Sequence, residues 1–152
     1  MKQRRILAGG LLAASALLAP SAAQPRAATT ISVRANLSGT NEVPPLGPKA
    51  AKGSGHLVGT LRQTKTGYQF KWYLTFRNLS GAVKFANIER GTPGKLGPNV
   101  QFLCSPCTSG AHGSFYASPG ELDLIQKGGL YVNVRTKKHP GGELRGRLTR
   151  TH

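Results

Sequence analysis

The stretch YQFKWYLTFR, residues 68–77, alternates apolar and polar side chains along most of its length. Its apolar positions are Tyr68, Phe70, Trp72, Leu74 and Phe76, and the positions between them include Gln69, Lys71, Thr75 and Arg77. Successive side chains of a β-strand point to opposite faces, so this period of two predicts a strand with one buried and one exposed face. We predict that it is the central core strand of a sheet.

Shorter runs with the same alternation are separated by glycine and proline along the rest of the chain. They are ISVRANL (31–37), GHLVGTLR (55–62), VKFANIE (83–89), NVQFL (99–103), GSFYA (113–117), LYVNVRT (130–136) and GELRGRLT (142–149). About eight strands at this spacing are typical of an antiparallel sandwich or barrel. Only SPGELDLIQKGG (118–129) differs: it predicts one short helical turn, with Glu121 and Asp123 near its N-terminus as capping residues.

The first 23 residues have the three regions of a secretory signal peptide. Lys2, Arg4 and Arg5 precede an apolar run from Ile6 to Leu18, and Ser21-Ala22-Ala23 resembles a cleavage site. The alternative is a retained membrane anchor, for which the run is short. We therefore predict a signal peptide over 1–23, a flexible lead-in over 24–29 and one β-domain over 30–150, in a protein that is secreted to a periplasm or beyond the cell.

Most charged residues of the chain are basic, with 21 Lys and Arg against 5 Asp and Glu. Such a charge favours partners such as an anionic polysaccharide or a lipid surface, although it also favours solubility alone. The basic residues cluster near the end of the chain, and we predict an anion-binding patch there. Its members are Arg135, Lys137, Lys138, Arg145, Arg147 and Arg150. A specific nucleic-acid partner is not predicted, because export separates the chain from nucleic acid and most aromatic residues face inward.

Cys104 and Cys107 are the only cysteines, in the segment FLCSPCTSGAHG. Export favours a structural disulfide between them, which requires the chain to turn so that the two Cα atoms come within about 7 Å. The alternatives are a thiol-redox pair and a metal site that includes His112. No helical pattern follows Cys107 to lower a thiol pKa, and few ligand types lie nearby.

Four segments together resemble the landmarks of a CHRD domain, the module named after chordin. They are LSGTNEVPP (37–45), ANIERGTPGKLGPNV (86–100), GGLYVNVRT (128–136) and HPGGELRGRL (139–148), in this order. The resemblance implies an antiparallel β-sandwich, immunoglobulin-like or superoxide-dismutase-like, in an extracytoplasmic protein. It implies no settled biochemical activity, and the growth-factor binding of chordin does not follow from it.

The chain departs from the family pattern around Glu89. The alternation of 83–89 places Glu89 on the same face as Val83 and Phe85. The family usually has a His-x-His pair where this chain has Asn87 and Glu89, and a further histidine at Arg135. Three imidazoles there would suit a metal, whereas Asn, one carboxylate and Arg do not. We expect Glu89 and Arg135 to form an ion pair completed by Asn87; the alternative is two solvated charges on unrelated faces.

No arrangement typical of a nucleophilic hydrolase or a phosphate-binding loop occurs in the sequence. The function we predict is a secreted, non-enzymatic structural or binding module, with no cofactor and no metal. It would contact anionic polymers or a membrane surface through the basic patch. The rival hypothesis is a metal-binding or redox protein of superoxide-dismutase-like architecture, and a third is a divergent copy whose ancestral site has become scaffold.

Overall fold

The computed structural model describes residues 28–49 and 51–151. The predicted signal peptide and most of the lead-in lie outside these residues. The strands are β1 Thr30–Ser38, β2 Ser54–Gln63, β3 Tyr68–Arg77, β4 Val83–Arg90, β5 Asn99–Cys104, β6 Ala111–Ala117, β7 Leu130–Thr136, β8 Leu144–Arg147 and β9 Thr149–Arg150. A 3-10 turn at Gly39–Asn41 follows β1, and one α-helix, α1 (Pro119–Gln126), precedes β7.

All strand pairings are antiparallel and belong to one sheet with the order β5-β4-β7-β8-β1-β2-β3-β6. The short strand β9 pairs with β1 beside this path. The two end strands, β5 and β6, come close to one another, so the sheet curves almost into a closed barrel around one apolar core. The predicted all-β antiparallel fold with one short helical segment is confirmed.

β3 supplies the interior as its alternation predicts, because Phe70, Trp72 and Leu74 are buried while Lys71 is exposed. It is not the central strand, however, since it lies between β2 and the end strand β6. Phe70 packs edge-to-face on Phe115 of β6, with ring centroids 5.0 Å apart. Complete burial of a side chain such as that of Phe70 contributes about 1.5–3 kcal/mol.

The helix α1 is stabilised at its N-terminus by a capping box. Ser118 Oγ accepts a hydrogen bond from the Glu121 backbone N–H at 3.2 Å, and the Glu121 carboxylate accepts one from the Ser118 N–H at 2.6 Å. Glu121 is therefore the cap that the sequence predicts. Asp123 has a different role, because its carboxylate pairs with Lys127 at 2.8 Å on the exposed side of the helix.

The alternation of β4 is interrupted by a shift of register against β7 between Val83 and Phe85. Val83 pairs with Thr136 and packs in the core, whereas Phe85 pairs with Arg135 on the opposite face. The prediction that Glu89 shares a face with Val83 is therefore wrong, and the prediction that Glu89 shares a face with Phe85 is correct. The bulge places one extra residue in β4 and so reverses the face on which Val83 lies.

Candidate functional site

A group of polar side chains lies on the outer face of β4, β7 and β8, opposite the apolar core. In the strand register Asn87 is opposite Asn133, and Asn133 is opposite Arg145, so these three side chains project from the same face. Three loops cover this face: the segment after β1, the β4–β5 loop and the β7–β8 turn. We call the group the polar cluster. Its members are Glu42, Asn87, Glu89, Tyr131, Asn133, Arg135 and Arg145.

Glu89 is the centre of the polar cluster, and only 1% of its surface is exposed. Its carboxylate accepts hydrogen bonds from Asn87 Nδ2 at 2.9 Å, from the Tyr131 hydroxyl and from Arg135 Nη2. Burial opposes the charged form, but these three hydrogen bonds and the charge of Arg135 outweigh it and lower the pKa of Glu89. The carboxylate is therefore ionised at neutral pH.

The structure brings together Asn87, Glu89 and Arg135, the three residues that the resemblance to a CHRD domain assigns to histidine positions. Arg135 also donates to the Pro140 carbonyl at 3.2 Å, and its guanidinium lies 5.4 Å from the centre of the Phe85 ring. The Arg135 side chain remains partly exposed, whereas Glu89 is enclosed. The arrangement is the ion pair completed by Asn87, and the two charges do not lie on unrelated faces.

Arg145 is buried and does not belong to an exposed patch, which corrects the sequence-based prediction. Only 4% of its surface is exposed, and its guanidinium carbon lies 3.5 Å from the centre of the Tyr131 ring. It donates to the Lys95 carbonyl in the β4–β5 loop, and its own carbonyl accepts from Asn41 Nδ2 at 3.0 Å. Arg145 lies on the outer face of β8, and it is buried because a loop covers this face.

Tyr131 links the carboxylate of Glu89 to the covering loop. Its hydroxyl donates to Glu89 and accepts from the Gly97 backbone N–H at 3.1 Å. Burial, the hydrogen bond to Glu89 and the Glu89 charge raise the pKa of Tyr131 to about 12. The phenol therefore stays protonated over the physiological range and acts as a fixed hydrogen-bond donor.

Glu42 is a member of the polar cluster that sequence reasoning missed, although it lies in the NEVPP landmark. It follows the 3-10 turn, and 4% of its surface is exposed. Burial, aided by the nearby Glu89 charge and opposed by Arg145 and Arg135, raises the pKa of Glu42 to about 7. A Cβ atom at Gly142 would lie within 2.6 Å of both the Glu42 carboxylate and Asn133 Oδ1, so a glycine is required at this position.

We expect the Glu42 carboxyl to make stability fall as pH rises through neutrality. Its folded-state pKa lies above the ordinary glutamate value of 4.5, so its contribution is present below pH 4.5 and is lost as pH rises through 7. The loss can reach about 3 kcal/mol at 1.36 kcal/mol per pKa unit. Urea unfolding between pH 5 and 8 should show this slope in the wild type and a flatter profile in Glu42→Gln. Asp123→Asn, which removes an exposed carboxylate, is the matched control, and an unchanged slope in Glu42→Gln would contradict the assignment.

The chemistry available to the polar cluster is hydrogen bonding, ion pairing and, at Glu42, proton exchange near neutral pH. Glu89, its one carboxylate with a lowered pKa, is held by three donors, which leaves it poorly placed to act as a base. Among the described residues no three His, Cys, Asp or Glu side chains are grouped closely enough to hold a metal ion. The histidines His56 and His112 lie on β2 and β6, away from the cluster.

Cys104 and Cys107 form the predicted disulfide, with their Cα atoms 5.2 Å apart. The chain turns between them through a cis Ser105–Pro106 peptide bond. His112 interacts through Nδ1 with the Gly110 carbonyl at 3.3 Å and stacks on Tyr73 instead of facing the sulfur atoms. The bond occupies both sulfur atoms, so the alternatives of a free thiol pair or a thiolate metal site do not describe this state.

The remaining basic residues of the predicted patch lie at two ends of the sheet. Lys137 and Lys138 follow the last residue of β7, whereas Arg147 pairs with Tyr131 near the first residue of that strand. The two ends are separated by about 20 Å at roughly 3.3 Å per residue. Because Arg145 is buried and Arg135 is paired with Glu89, the six residues do not form one exposed surface.

Glu143 is a third buried acidic residue, on the turn between β7 and β8. It accepts hydrogen bonds from the Ser80 N–H at 2.6 Å, the Ser80 hydroxyl at 3.0 Å and the Thr136 hydroxyl at 2.6 Å. These contacts join the β3–β4 turn to the end of β7. Sequence reasoning did not select Glu143, because in the pattern it appears as a polar residue beside a turn.

The family model described as CHRD domain matches residues 33–148, which contain the whole polar cluster. The chain belongs to the CHRD family. CHRD domains are extracellular modules, and the disulfide suits the oxidising surroundings of such a module. No curated protein and no solved structure matches the chain. In the described part of this CHRD protein, no helix has the length and apolar character needed to cross a bilayer.

Proposed function

We propose that this CHRD domain is an extracytoplasmic, non-enzymatic module that binds an anionic polymer. The observation that carries the proposal is the unequal placement of the two signs of charge. Three of the five acidic side chains, Glu42, Glu89 and Glu143, are buried. The other two belong to α1, where Glu121 caps the helix and Asp123 pairs with Lys127.

The basic residues have the opposite distribution. Fifteen Lys and Arg side chains are exposed in the described part of the chain, and only Arg135 and Arg145 belong to the polar cluster. Few exposed carboxylates remain to offset them, so the surface potential is positive over most directions of approach. A long polyanion gains from many such charges at once, whereas a small anion contacts only a few.

The absence of an enzymatic role is supported by the state of the groups that could react. Hydrogen bonds hold Glu89, and the disulfide occupies both cysteine sulfur atoms. Asn87, Glu89 and Arg135 stand where the family resemblance implies histidines that would suit a metal. We propose on these grounds that the polar cluster is structural. It fixes the loops of the outer face and keeps its carboxylates away from the surface.

Chromatography on a sulfated polysaccharide resin tests the proposed function. A basic protein binds any cation exchanger, so the control is a sulfopropyl resin of matched charge density. We expect the domain to elute from the polysaccharide at the higher salt concentration, and elution to occur as the Debye length falls from about 10 Å at 0.1 M to 3 Å at 1 M. Elution at equal or lower salt from the polysaccharide would contradict the proposal.

Export is the second element of the proposal and has its own test. We propose that residues 1–23 direct secretion and that the mature chain begins at Gln24. Intact mass spectrometry of the exported protein should give the mass of residues 24–152 with the disulfide formed. A protein that retains residues 1–23 and remains inside the cell would contradict it.

A further inference from the structure

The outer face of β1, β2, β3 and β6 is open, unlike the outer face of β4, β7 and β8. The strand register aligns Arg34, Val58, Tyr73 and His112 in one row across the four strands. Two residues further along, Lys71 lies in a row with Ser32, Thr60 and Ser114. Consecutive rows are about 7 Å apart, so these side chains form a regular grid on the sheet surface.

Large side chains on this face are exposed instead of being covered by a loop. Tyr73 is 47% exposed, Val58 50% and Tyr116 75%. Tyr116 lies opposite Gln69, in the row that also contains Arg62. We call this surface the open sheet face, and its principal members are Arg34, Arg62, Lys71, Tyr73, His112 and Tyr116.

The open sheet face carries positive charge without any acidic neighbour on its own strands. Arg34, Arg62 and Lys71 are all exposed. The strands β1, β2, β3 and β6 contain no aspartate or glutamate. An anionic ligand lying across these strands would therefore meet guanidinium and ammonium groups and no opposing carboxylate on the strands themselves.

Aromatic and hydroxyl groups are interleaved with these charges. The rings of Tyr73 and His112 are stacked at an angle of 24°, with centroids 6.4 Å apart. A shallow depression of about 470 Å³ beside Tyr73 is lined by groups that include Ser32, Thr60 and Lys71. Aromatic faces pack on the apolar faces of sugar rings, and hydroxyl groups exchange hydrogen bonds with sugar hydroxyls.

We propose that the open sheet face is the contact surface for an anionic polysaccharide, with Arg34 and Lys71 contacting its acidic groups and Tyr73 and Tyr116 packing on its sugar rings. This rests on the proposed function and gives it a location. A polysaccharide fits this face better than a bilayer does, because the face is mostly polar and Val58 is its one large exposed aliphatic side chain among the described residues. Single-stranded nucleic acid uses similar groups and is an outcome of the test.

Two variants with the same change in net charge distinguish the contribution of the open sheet face to binding from that of net charge. Arg34→Glu/Lys71→Glu reverses two charges on the open sheet face, and Lys137→Glu/Lys138→Glu reverses two exposed charges elsewhere. Binding to a size-defined heparin oligosaccharide is measured by calorimetry at 0.15 M salt, where surface charges are screened beyond about 8 Å. We expect the first variant to weaken binding by about 30-fold or more and the second by less than about fivefold.

An uncharged variant tests the aromatic contribution. Tyr73→Ala/Tyr116→Ala removes two exposed rings and should weaken binding by about tenfold at constant net charge. Circular dichroism and urea unfolding should show that each variant keeps its fold, since all the changed residues are exposed.

The outcomes separate the two proposals. Equal losses of affinity in the two charge variants, or unchanged binding in the tyrosine variant, would overturn the assignment of the contact to the open sheet face. Polymer binding would then depend on net charge alone. Tighter binding of single-stranded DNA of equal charge would overturn the polysaccharide assignment. A wild-type protein that does not bind the oligosaccharide at all would overturn the proposed function itself.

Discussion

Replacement of Arg135 by methionine is expected to lower the free energy of unfolding by about 3 kcal/mol. The substitution keeps a similar side-chain volume but leaves the charge of Glu89 buried without its cationic partner. Tyr131 and Asn87 would still donate to the carboxylate, so the loss falls at the lower end of the range for a broken buried pair. Urea unfolding at pH 7 measures it.

The double variant Glu89→Gln/Arg135→Met distinguishes a broken pair from a loss of packing. With both charges removed, no buried charge is left without a partner, and we expect more than half of the lost stability to return. Lys127→Met is the control, because it breaks the exposed pair with Asp123, and it should cost at most about 1 kcal/mol. If the stability loss of the double variant equals the sum of the losses of Glu89→Gln and Arg135→Met, the pair is not coupled.

Glu143→Ala is expected to lower the free energy of unfolding by about 3–4 kcal/mol, the second large effect. It removes the acceptor of the Ser80 N–H and of the Thr136 hydroxyl, and it leaves a cavity at a fully buried position. Ser80→Ala is the matched control. It removes only the hydroxyl donor at 3.0 Å and should cost about 1 kcal/mol. A loss below about 1 kcal/mol for Glu143→Ala would mean that the carboxylate does not join the two turns.

The fold follows from local patterns wherever the alternation is regular. β3 buries Phe70, Trp72 and Leu74 as its period of two predicts. Glu121 caps α1 as the sequence predicts, whereas Asp123 pairs with Lys127 instead. The face of Val83 was predicted wrongly because a bulge in β4 depends on pairing with β7, which no local pattern specifies. The position of β3 in the sheet likewise depends on which strands pair.

The polar cluster could be predicted only in part. Asn87, Glu89 and Arg135 were linked through the family's histidine positions, and the residues alone left solvated charges as an alternative. Glu42 and Glu143 were missed because each becomes buried through contacts with distant segments, Gly142 and Ser80 respectively. In both cases the signal is a glutamate inside a family landmark of a chain with very few acidic residues.

The burial of these glutamates connects the site with the proposed function. All three glutamates, Glu42, Glu89 and Glu143, are buried, and the last two accept hydrogen bonds from internal partners. Their carboxylates therefore contribute little charge to the exterior of the chain. The charge of the exterior then comes mainly from lysine and arginine, and on the open sheet face these residues are interspersed with exposed tyrosine. The fold therefore decides where the basic residues of the chain form a binding surface, and composition alone does not predict that position.

Chemical-shift mapping with a heparin oligosaccharide locates the polysaccharide contact on individual residues. Spectra of the 15N-labelled protein are recorded during titration with the oligosaccharide at 0.15 M salt. We expect saturable shifts at Arg34, Lys71 and Tyr73 of the open sheet face, and unchanged signals at Glu89. Shifts centred instead on Lys137 and the turn after β7, or no saturable shifts at all, would contradict it.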